Sequence, residues 1–336
     1  AHKSSYANYS FMFGATNSNL DEIKKINKNE VAALKIFLGS STGDMLVDNQ
    51  QILRDIFLST DLIIVVHSED EQIINENLKK YKIKYNSNIP FDCHSKIRSE
   101  EACLKSTKKI IKLAKETNAR LHVFHLSTKL ESLLFQNDIP LKEKKITSEV
   151  CVHHLWFSDK DYKDKQSFIK WNPAIKTEED RDGLWDSLLD DRIDVIATDH
   201  APHTLEEKSK PYLDCPSGGP LVQHALVSMI QHHLNNKISL EKIVTKMCHN
   251  PAILFQISKR GYVREGYYAD LVLIDINKSW TVNKDNILYK CNWSPFENHT
   301  FKGNIEATIV SGHLAYENGI FFEGKKGERM QFDSYN

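Results

Sequence analysis

The sequence predicts an α/β fold in which a parallel β-sheet is covered by helices and is followed by a small antiparallel β appendage. Short apolar, β-prone runs alternate with helix-like stretches up to residue 260, a pattern typical of a parallel sheet with helices outside. After Gly261, β-prone segments are separated by glycine-containing turns, as in antiparallel strands. At 336 residues the chain can bury a substantial core.

Six short apolar runs in the first part of the chain are predicted strands. They are Tyr9–Phe13, Ala32–Phe37, Leu62–Val66, Leu121–Phe124, Ile146–Val150 and Ile193–Ala197. The predicted helices are Asn19–Ile26, Asn49–Ser59, Ser99–Glu116, Ser127–Gln136, Thr177–Leu189, Pro220–Leu234 and Leu240–Phe255. The clearest antiparallel strands are Tyr268–Ile274 and Ile305–Val310.

Two sheet architectures fit six strand–helix units. An open doubly wound sheet can stop at six strands, but it would carry a device such as a glycine-rich phosphate turn at its switch point. The sequence contains neither G-x-G-x-x-G nor a P-loop. A (β/α)8 barrel needs two further units, which would precede Ala1. The pattern alone leaves both architectures open.

The composition argues against nucleic acid or a membrane as a partner. Lys and Arg number 44 against 45 Asp and Glu, and no basic block stands apart from acidic residues. No apolar run approaches the roughly 18 residues of a membrane-spanning helix, and the N-terminus lacks a signal-peptide pattern. The six cysteines are scattered without a C-x-x-C pair, so we expect reduced thiols in a cytoplasmic protein.

Titratable side chains lie at or near the C-terminal ends of five successive predicted strands. They are Lys35, His67, His125, Glu149 and Asp199. Such strand ends form one rim, where barrel enzymes carry their chemistry. Imidazole and carboxylate groups are preferred ligands of a catalytic Zn²⁺. One such histidine alone is more often structural, as we interpret His153 and His154, but the convergence predicts a metal-binding rim.

Lys35 lies inside the apolar run Val31–Phe37, where a charged amine is costly to bury. It must therefore pair with an acid, lose its proton or be modified. Addition of CO2 to the neutral amine would give a carbamate, a bidentate anion that can bridge two cations. N6-carboxylation of Lys35 is therefore a hypothesis of the sequence analysis.

The sequence resembles the dihydroorotases, a cyclic amidase branch of the amidohydrolase superfamily. The order Lys, His, His, Asp on successive strands is that of the superfamily, and Asp-His-Ala-Pro-His at 199–203 is fairly specific to the branch. The similarity runs over essentially the whole chain. The matching segments are Ala33–Gly43, Val66–Asp70, His122–Thr128, Glu149–Leu155, Trp171–Pro173, Ala197–Thr204, Gly218–Pro220, Asn250–Ala252 and Gly266–Ile274.

The resemblance implies a TIM-like (β/α)8 barrel of the metal-dependent hydrolase type, with about six of its eight units in this chain and a small C-terminal β appendage. We expect residues 1–260 to form barrel strands three to eight, and residues 261–336 to contribute to a small β-sandwich-like domain. The implied reaction is the reversible conversion of N-carbamoyl-L-aspartate to L-dihydroorotate in pyrimidine biosynthesis.

The resemblance also assigns residues to metal and substrate. Two Zn²⁺ ions would be bridged by carboxylated Lys35, with His67 and His125 on the more exposed ion and Asp199 on the buried one. Asp199 would also be the general base on the hydroxide between the ions. Glu149 would hydrogen-bond a ligand histidine rather than bind a further ion. The implied substrate-binding residues are Asn172, His203, Gly218 and Gly219, with His203 as the reader of the substrate carboxylate.

One motif of the family does not occur in this sequence. It is the His-x-His at the end of the first barrel strand, which supplies two ligands of the buried ion. On the family's plan, the first predicted strand here corresponds to barrel strand three. We expect that this sequence begins inside the barrel, since a barrel without two adjacent strands would expose unpaired edges. The alternative is a truncated homologue with an incomplete site.

Other functions also stay open. Allantoinases and dihydropyrimidinases or hydantoinases share the metal ligands, although they match the surroundings of His203 less well. An alternative of another class is a non-catalytic, dihydroorotase-like scaffold protein. The expected partners are a small-molecule substrate and either a second copy in a homodimer or other enzymes of the pyrimidine pathway.

Overall fold

The computed structural model describes residues 1–39 and 45–333, so the last residues of the Ala33–Gly43 motif lie outside the described part. The described strands form a six-stranded sheet and a four-stranded sheet. The first contains β1 Phe13–Gly14, β2 Leu34–Phe37, β3 Ile64–His67, β4 Leu121–Val123, β5 Ile146–Cys151 and β6 Val195–Ala197. The second contains β7 Leu271–Thr281, β8 Thr300–Val310, β9 His313–Glu317 and β10 Ile320–Phe321.

The six-stranded sheet is parallel, and its strands follow chain order from β1 to β6. All six predicted strands are confirmed, but β1 begins later than predicted. Tyr9 pairs with Arg329 near the C-terminus instead of with β2. The Tyr9 N–H donates to the Glu328 carbonyl at 3.0 Å, and its own carbonyl accepts from Met330 at 2.8 Å. Because Tyr9 bonds this C-terminal segment, only Phe13 and Gly14 form β1 in the six-stranded sheet.

Helices lie between the strands and continue beyond β6. They are α1 Leu20–Ile23, α2 Gln50–Ser59, α3 Glu71–Tyr85, α4 His94–Ile97, α5 Glu100–Thr117, α6 Lys129–Ser132, α7 Val152–Trp156, α8 Tyr162–Lys165, α9 Glu178–Leu189, α10 Leu205–Lys208, α11 Ala225–Leu234, α12 Leu240–Val244 and α13 Asn250–Leu254. A π-helical turn, Thr245–His249, joins α12 to α13. Each predicted helix is present over part of its range. The predicted set lacks α3, whose charged sequence buries only Ile73 and Ile74, and the short helices α4, α7, α8 and α10.

Side chains that alternate along the strands separate two apolar layers. Leu34 of β2 faces the main core, which lies between the sheet and helices such as α2 and α5. Ala33 and Val65 belong to a smaller cluster on the other, inner side, together with Leu254 of α13. Because residues two apart on a strand share a face, Lys35 lies on the inner side with Ala33.

The parallel register brings polar residues of neighbouring strands to the same level. Lys35 is level with Val65, and Val65 is level with His122 of β4. Further along the strands, Phe37 is level with His67 at the end of β3. The inner side of the sheet therefore carries titratable groups towards its C-terminal rim.

The four-stranded sheet confirms the predicted antiparallel appendage. Strands β7 and β8 pair along most of their length, and β9 and β10 extend the sheet beyond β8. The sheet contacts helix α11, where the side-chain oxygen of Gln231 accepts from the Lys302 N–H at 2.9 Å. The division into two domains at residue 260 stays a prediction.

None of the helices in the described ranges is both long enough and apolar enough to cross a membrane. All six cysteines lie within these ranges, and their thiols are free. Four of them, Cys93, Cys103, Cys151 and Cys215, are buried. This state of the cysteines agrees with the reduced thiols expected from their spacing.

A buried glutamate lies in the first turn of α6. The Thr128 side chain caps this helix by accepting from the Glu131 N–H. The Glu131 carboxyl accepts hydrogen bonds from Thr107 at 2.8 Å and from Thr128 at 3.0 Å. Only 2% of the residue is exposed, and this desolvation raises the pKa of Glu131 to about 7, although the hydrogen bonds oppose the rise.

We expect Glu131→Gln to stabilise the protein more at pH 8 than at pH 5. The pKa of Glu131 is higher in the folded than in the unfolded chain, so the stability that Glu131 contributes falls as pH rises from its unfolded pKa through about 7. Because glutamine cannot ionise, the gain in unfolding free energy should grow by about 1–3 kcal/mol between the two pH values. Denaturant unfolding of both proteins measures it, and an equal gain at both pH values would contradict the raised pKa.

Candidate active site

The five predicted rim residues lie on neighbouring parallel strands or directly after them. Lys35 is in β2, His67 ends β3, and Glu149 is in β5. His125 and Asp199 follow the ends of β4 and β6. Electrostatic interactions of Lys35 with the other four show that the sheet brings this predicted set together.

The backbone turns sharply at His125 and at Asp199. Both residues have left-handed conformations, with φ values of 40° and 46°. Residues other than glycine rarely adopt this conformation, and they often do so at functional sites, where the surrounding structure holds them in place. The two side chains are therefore held at the rim at some cost in backbone energy.

The imidazole rings of His67 and His125 face each other inside the protein. His67 Nδ1 lies 3.1 Å from His125 Nε2, and His67 Nε2 lies 2.8 Å from the carboxylate of Glu69. Each histidine has 4% of its surface exposed. Burial lowers the pKa of both rings, that of His125 well below its usual range, so both are neutral near pH 7.

The amine of Lys35 lies over aromatic rings rather than against a carboxylate of the described chain. Its Nζ is 4.0 Å from the ring centre of Phe124 and 4.8 Å from that of Phe37. Desolvation lowers the pKa of Lys35 to about 8, and the charges of Glu149 and Asp199 only partly oppose this effect. A substantial share of the amine is therefore neutral at pH 8, and the neutral amine is the form that reacts with CO2.

Asp199 follows β6 at the rim, and its carboxylate is partly desolvated although the residue as a whole is exposed. This desolvation raises the pKa of Asp199 to about 6, while the charge of Lys35 opposes the rise and that of Glu149 adds to it. At pH 7 such a carboxylate is mostly ionised and still accepts a proton more readily than an unperturbed aspartate. These properties suit a general base.

Glu149 bonds a histidine that is not one of the predicted metal ligands. Its Oε2 lies 3.1 Å from Nε2 of His122, whose Nδ1 lies 2.9 Å from the hydroxyl of Thr147. His122 is fully buried on the inner face of β4. The described hydrogen bonds of Glu149 thus reach neither His67 nor His125. Spacing could not separate these candidates, because His122 and His125 belong to the same motif.

The donor atoms at the rim fit a divalent cation. In residues 1–39 and 45–333 no group of three or more His, Cys, Asp or Glu side chains is arranged closely enough to hold an ion as it stands. The facing nitrogens of His67 and His125 are, however, neutral imidazole donors of the kind that Zn²⁺ prefers. Nδ1 of His125 is also buried without a partner in this part of the chain. Lys35 fits such a site only as a carbamate, since an ammonium has no lone pair.

The predicted substrate-binding residues lie near one another beside the rim. Gly218 has a φ of 126°, and a Cβ there would lie 2.5 Å from a carbonyl oxygen and 3.3 Å from the ring of His203. A Cβ at Gly219 would lie 2.6 Å from Trp171, which precedes Asn172. Only glycine therefore allows this backbone to approach His203 and Trp171 so closely.

The side chain of His203 is engaged by the protein itself. Its Nε2 lies 3.1 Å from the Ser217 carbonyl oxygen, and its main-chain carbonyl accepts from the Trp293 indole at 2.7 Å. These contacts hold the loop after β6 in shape. The roles of His203 and Asn172 in reading a substrate carboxylate stay predictions.

His153 and His154 lie on α7, directly after β5. The ring of His153 stacks on Trp171 with centres 4.4 Å apart, and neither of its nitrogens has a partner in the described ranges. Nε2 of His154 lies 3.1 Å from the Pro173 carbonyl oxygen. Both residues are buried, which agrees with the structural role expected for them.

Two buried lysines that the sequence analysis missed hold the loop that carries Gly218. Lys170 and Lys208 donate to four carbonyl oxygens of residues 212–218 at 2.5–3.0 Å. Neither forms an ion pair with a carboxylate of the described chain, and desolvation lowers the pKa of each to about 8. Lys208 lies in a polar stretch, where lysines are usually solvated, so the sequence offers no signal for its role, whereas Lys170 stands between the apolar residues Ile169 and Trp171.

Glu69 and Arg98 were also missed. Glu69 is fully buried, and burial alone would raise its pKa, but Arg98 and the bond to His67 outweigh this effect and hold the pKa well below its usual range. Glu69 follows His67 by two positions, and this His-x-Glu spacing is a signal that could have found it. Arg98 lies far along the chain and carries no such signal.

We expect Lys208→Met to loosen the loop at 209–219. The change keeps the apolar stem but removes two hydrogen bonds from a charged donor, each worth about 1.5–3 kcal/mol. Local opening should become at least about tenfold more frequent, and cleavage by a protease that does not cut at lysine should accelerate accordingly. The matched control is Lys210→Met, an exposed neighbour. Equal cleavage rates in the two variants would contradict the role of Lys208.

Comparison with known proteins gives the family. A family model described as "Amidohydrolase family" matches residues 53–315. The dihydroorotase of Halobacterium salinarum is 31% identical over 308 residues, which are 90% of this chain and 69% of that protein. The dihydroorotase of Pyrococcus horikoshii is 32% identical over 298 residues, which are 88% of this chain and 63% of that protein. This chain thus spans about two thirds of the length of these relatives.

Among solved structures, the L-hydantoinase (dihydropyrimidinase) of Arthrobacter aurescens is similar to this one. The TM-score is 0.89 at 24% identity, and the match covers 98% of this chain and 75% of that one. This similarity confirms the predicted TIM-like α/β barrel fold. The family model matches most of the sequence, and a dihydroorotase that is 31% identical is covered over 69% of its length, so the chain belongs to the amidohydrolase family, in its dihydroorotase branch.

Proposed function

We propose that this protein is a metal-dependent cyclic amide hydrolase that interconverts N-carbamoyl-L-aspartate and L-dihydroorotate. The observation that carries the proposal is the convergence of Lys35, the His67–His125 pair and Asp199 at one rim. Opening a cyclic amide requires a polarised carbonyl, an activated water and a proton for the leaving nitrogen. The groups at the rim suit these three tasks in a protein that binds Zn²⁺.

Each rim residue has a role in this proposal. His67 and His125 would hold one Zn²⁺ through their facing nitrogens, Asp199 would contact a second, and carboxylated Lys35 would hold both. The bound ions would polarise the amide carbonyl and lower the pKa of water. Asp199 would take a proton from the attacking water and return it to the ring nitrogen, for which its raised pKa is suited.

Carboxylation of Lys35 would begin from its neutral amine. The nitrogen lone pair attacks the carbon of CO2 and forms an N–C bond, while one C–O π pair moves onto oxygen. The amine then loses a proton to solvent, which leaves an anionic carbamate. The overall reaction replaces the desolvated ammonium of Lys35, which has no carboxylate partner in the described chain, with an anion. Bound cations can balance the charge of this anion.

Both substrates carry carboxylates, which require cationic or donor groups near the rim. We assign this contact to His203 and Asn172, with the backbone at Gly218 and Gly219 close to the substrate ring. His203 would exchange its bond to the Ser217 carbonyl for one to the substrate. The buried ammonium groups of Lys170 and Lys208 support the assignment, because they place positive charge beneath this loop.

We also propose a cellular location and a mode of assembly for the protein. Six free cysteines support a reducing compartment, the cytoplasm. We propose that the protein acts as a homodimer or beside other enzymes of the pyrimidine pathway. Its small-molecule substrate gives no reason to expect a nucleic acid partner.

We expect the natural protein to turn over L-dihydroorotate faster than allantoin or hydantoin. Asp199→Asn should lower kcat for dihydroorotate by about 10²–10⁴-fold, because an amide cannot act as the base. The control is Asp285→Asn, which changes an exposed aspartate remote in sequence from the rim. Steady-state kinetics with the three substrates measure both expectations.

Two results would overturn the assignment. Turnover of allantoin or hydantoin but not of dihydroorotate would make the protein an allantoinase or a dihydropyrimidinase. No turnover of any of the three, with no Zn²⁺ found by elemental analysis, would favour the non-catalytic scaffold.

Carboxylation of Lys35 predicts a change in intact mass. Under mild, non-denaturing conditions the protein should be heavier by one CO2, and Lys35→Met should lose this adduct together with bound Zn²⁺. Lys208→Met is the matched control, since desolvation lowers the pKa of the Lys208 amine to about 8, as it does that of Lys35. An adduct that persists in Lys35→Met, or that never forms, would contradict the carbamate.

A further inference from the structure

A buried chain of three side chains lies behind His67. The Oε2 atom of Glu69 accepts from His67 Nε2 at 2.8 Å and from Nη2 of Arg98, and Nε of Arg98 lies 3.1 Å from each oxygen of the same carboxylate. Glu69 has none of its surface exposed, and Arg98 has 8%. Glu69 follows β3, whereas Arg98 lies between α4 and α5, so the contact joins two separate segments of the barrel wall.

These contacts determine which nitrogen of His67 carries the proton. A guanidinium has only donors, so the oxygens of Glu69 that it contacts must be acceptors. The hydrogen bond between His67 and Glu69 therefore requires a proton on Nε2. In the neutral ring Nδ1 is then a bare lone pair, and Nδ1 is the atom that faces His125 Nε2 at 3.1 Å.

We propose that Glu69 and Arg98 are positioning residues that hold His67 as its Nε2–H tautomer, so that Nδ1 is kept open for a divalent cation beside His125 Nε2. The inference rests on the proposed function, because it concerns the same rim. Arg98 has a second effect in this proposal. Because its guanidinium contacts both oxygens of Glu69, it prevents the Glu69 carboxylate from turning towards the cation.

A purely structural role is the alternative to be tested. A buried ion pair between two segments could hold them together without any effect on the cation, and removal of one partner would then only destabilise the fold. The positioning role makes two further demands. Removal of the Glu69 carboxylate must change the tautomer of His67. It must also reduce the free energy of Zn²⁺ binding by more than it reduces the free energy of unfolding.

The variants are chosen to separate these roles. Glu69→Ala removes the acceptor, whereas Glu69→Gln can place its amide oxygen where Oε2 now accepts from both His67 and Arg98. Glu131→Gln is the matched control, because Glu131 is equally buried but bonds only threonine hydroxyls among the side chains described. Arg98→Lys keeps a cation but loses the two-pronged contact.

The tautomer is measured by long-range ¹H–¹⁵N correlation NMR of the metal-free protein with ¹⁵N-labelled histidine. Affinity for Zn²⁺ is measured by competition with a chromophoric chelator. We expect wild type to show a single Nε2–H form of His67 and Glu69→Ala to show a mixture of tautomers with about 10–100-fold weaker Zn²⁺ binding. In both measurements Glu69→Gln should be closer to wild type than Glu69→Ala is. Arg98→Lys should lie between Glu69→Gln and Glu69→Ala, and Glu131→Gln should match wild type at the same pH.

The results distinguish this inference from the proposed function. A dihydroorotate-active protein whose Zn²⁺ affinity and His67 tautomer are unchanged in Glu69→Ala overturns the inference and leaves the function. An inactive wild type that loses Zn²⁺ affinity with Glu69 supports the inference and overturns the function. If Glu69→Ala does not fold, Arg98→Lys decides: unchanged affinity and tautomer overturn the positioning role. A wild type that binds no Zn²⁺ overturns both.

Discussion

Alternation of side chains along a parallel strand places Lys35 on the inner face of the sheet, and the candidate site depends on that placement. Leu34 faces the helices and belongs to the main core, whereas Lys35 faces inward at the level of Val65. There the amine meets the ring of Phe124 instead of a carboxylate of the described chain. A change of one residue in register would send this lysine into the apolar layer under the helices and remove it from the rim.

The ionisable groups around the rim differ in which interaction dominates the shift of their pKa. For Glu69 the contact with Arg98 and the bond to His67 outweigh desolvation, and the pKa falls. For Lys35 and Asp199 the opposite charges are more distant, so desolvation prevails and the two pKa values move towards each other. Direct contact is thus what separates a permanently charged pair from groups that can exchange protons near neutral pH.

The residues found from the sequence share one property: each lies within a motif on a predicted strand or just after it. Strand ends of a parallel sheet meet at one rim, so Lys35, His67, His125 and Asp199 could be grouped before any contact was known. Apart from Glu69, the residues that were missed have partners that are not their neighbours in the chain. Arg98 reaches Glu69 from another segment, His122 takes the bond of Glu149 that was expected for a ligand histidine, and Lys208 holds carbonyl groups of a loop. Such partners depend on the packing of helices and loops, which no local pattern encodes.

The sequence by itself determined the parallel sheet, the antiparallel appendage and the set of side chains at the rim, because periodicity and chain order suffice for these. Only the tertiary structure decided how that set is charged and supported. Burial makes His67 and His125 neutral and lowers the pKa of Lys35, and the contact of Glu69 with Arg98 directs Nδ1 of His67 towards its neighbour. These effects arise from desolvation and from contacts between distant segments, and both exist only once the chain is folded.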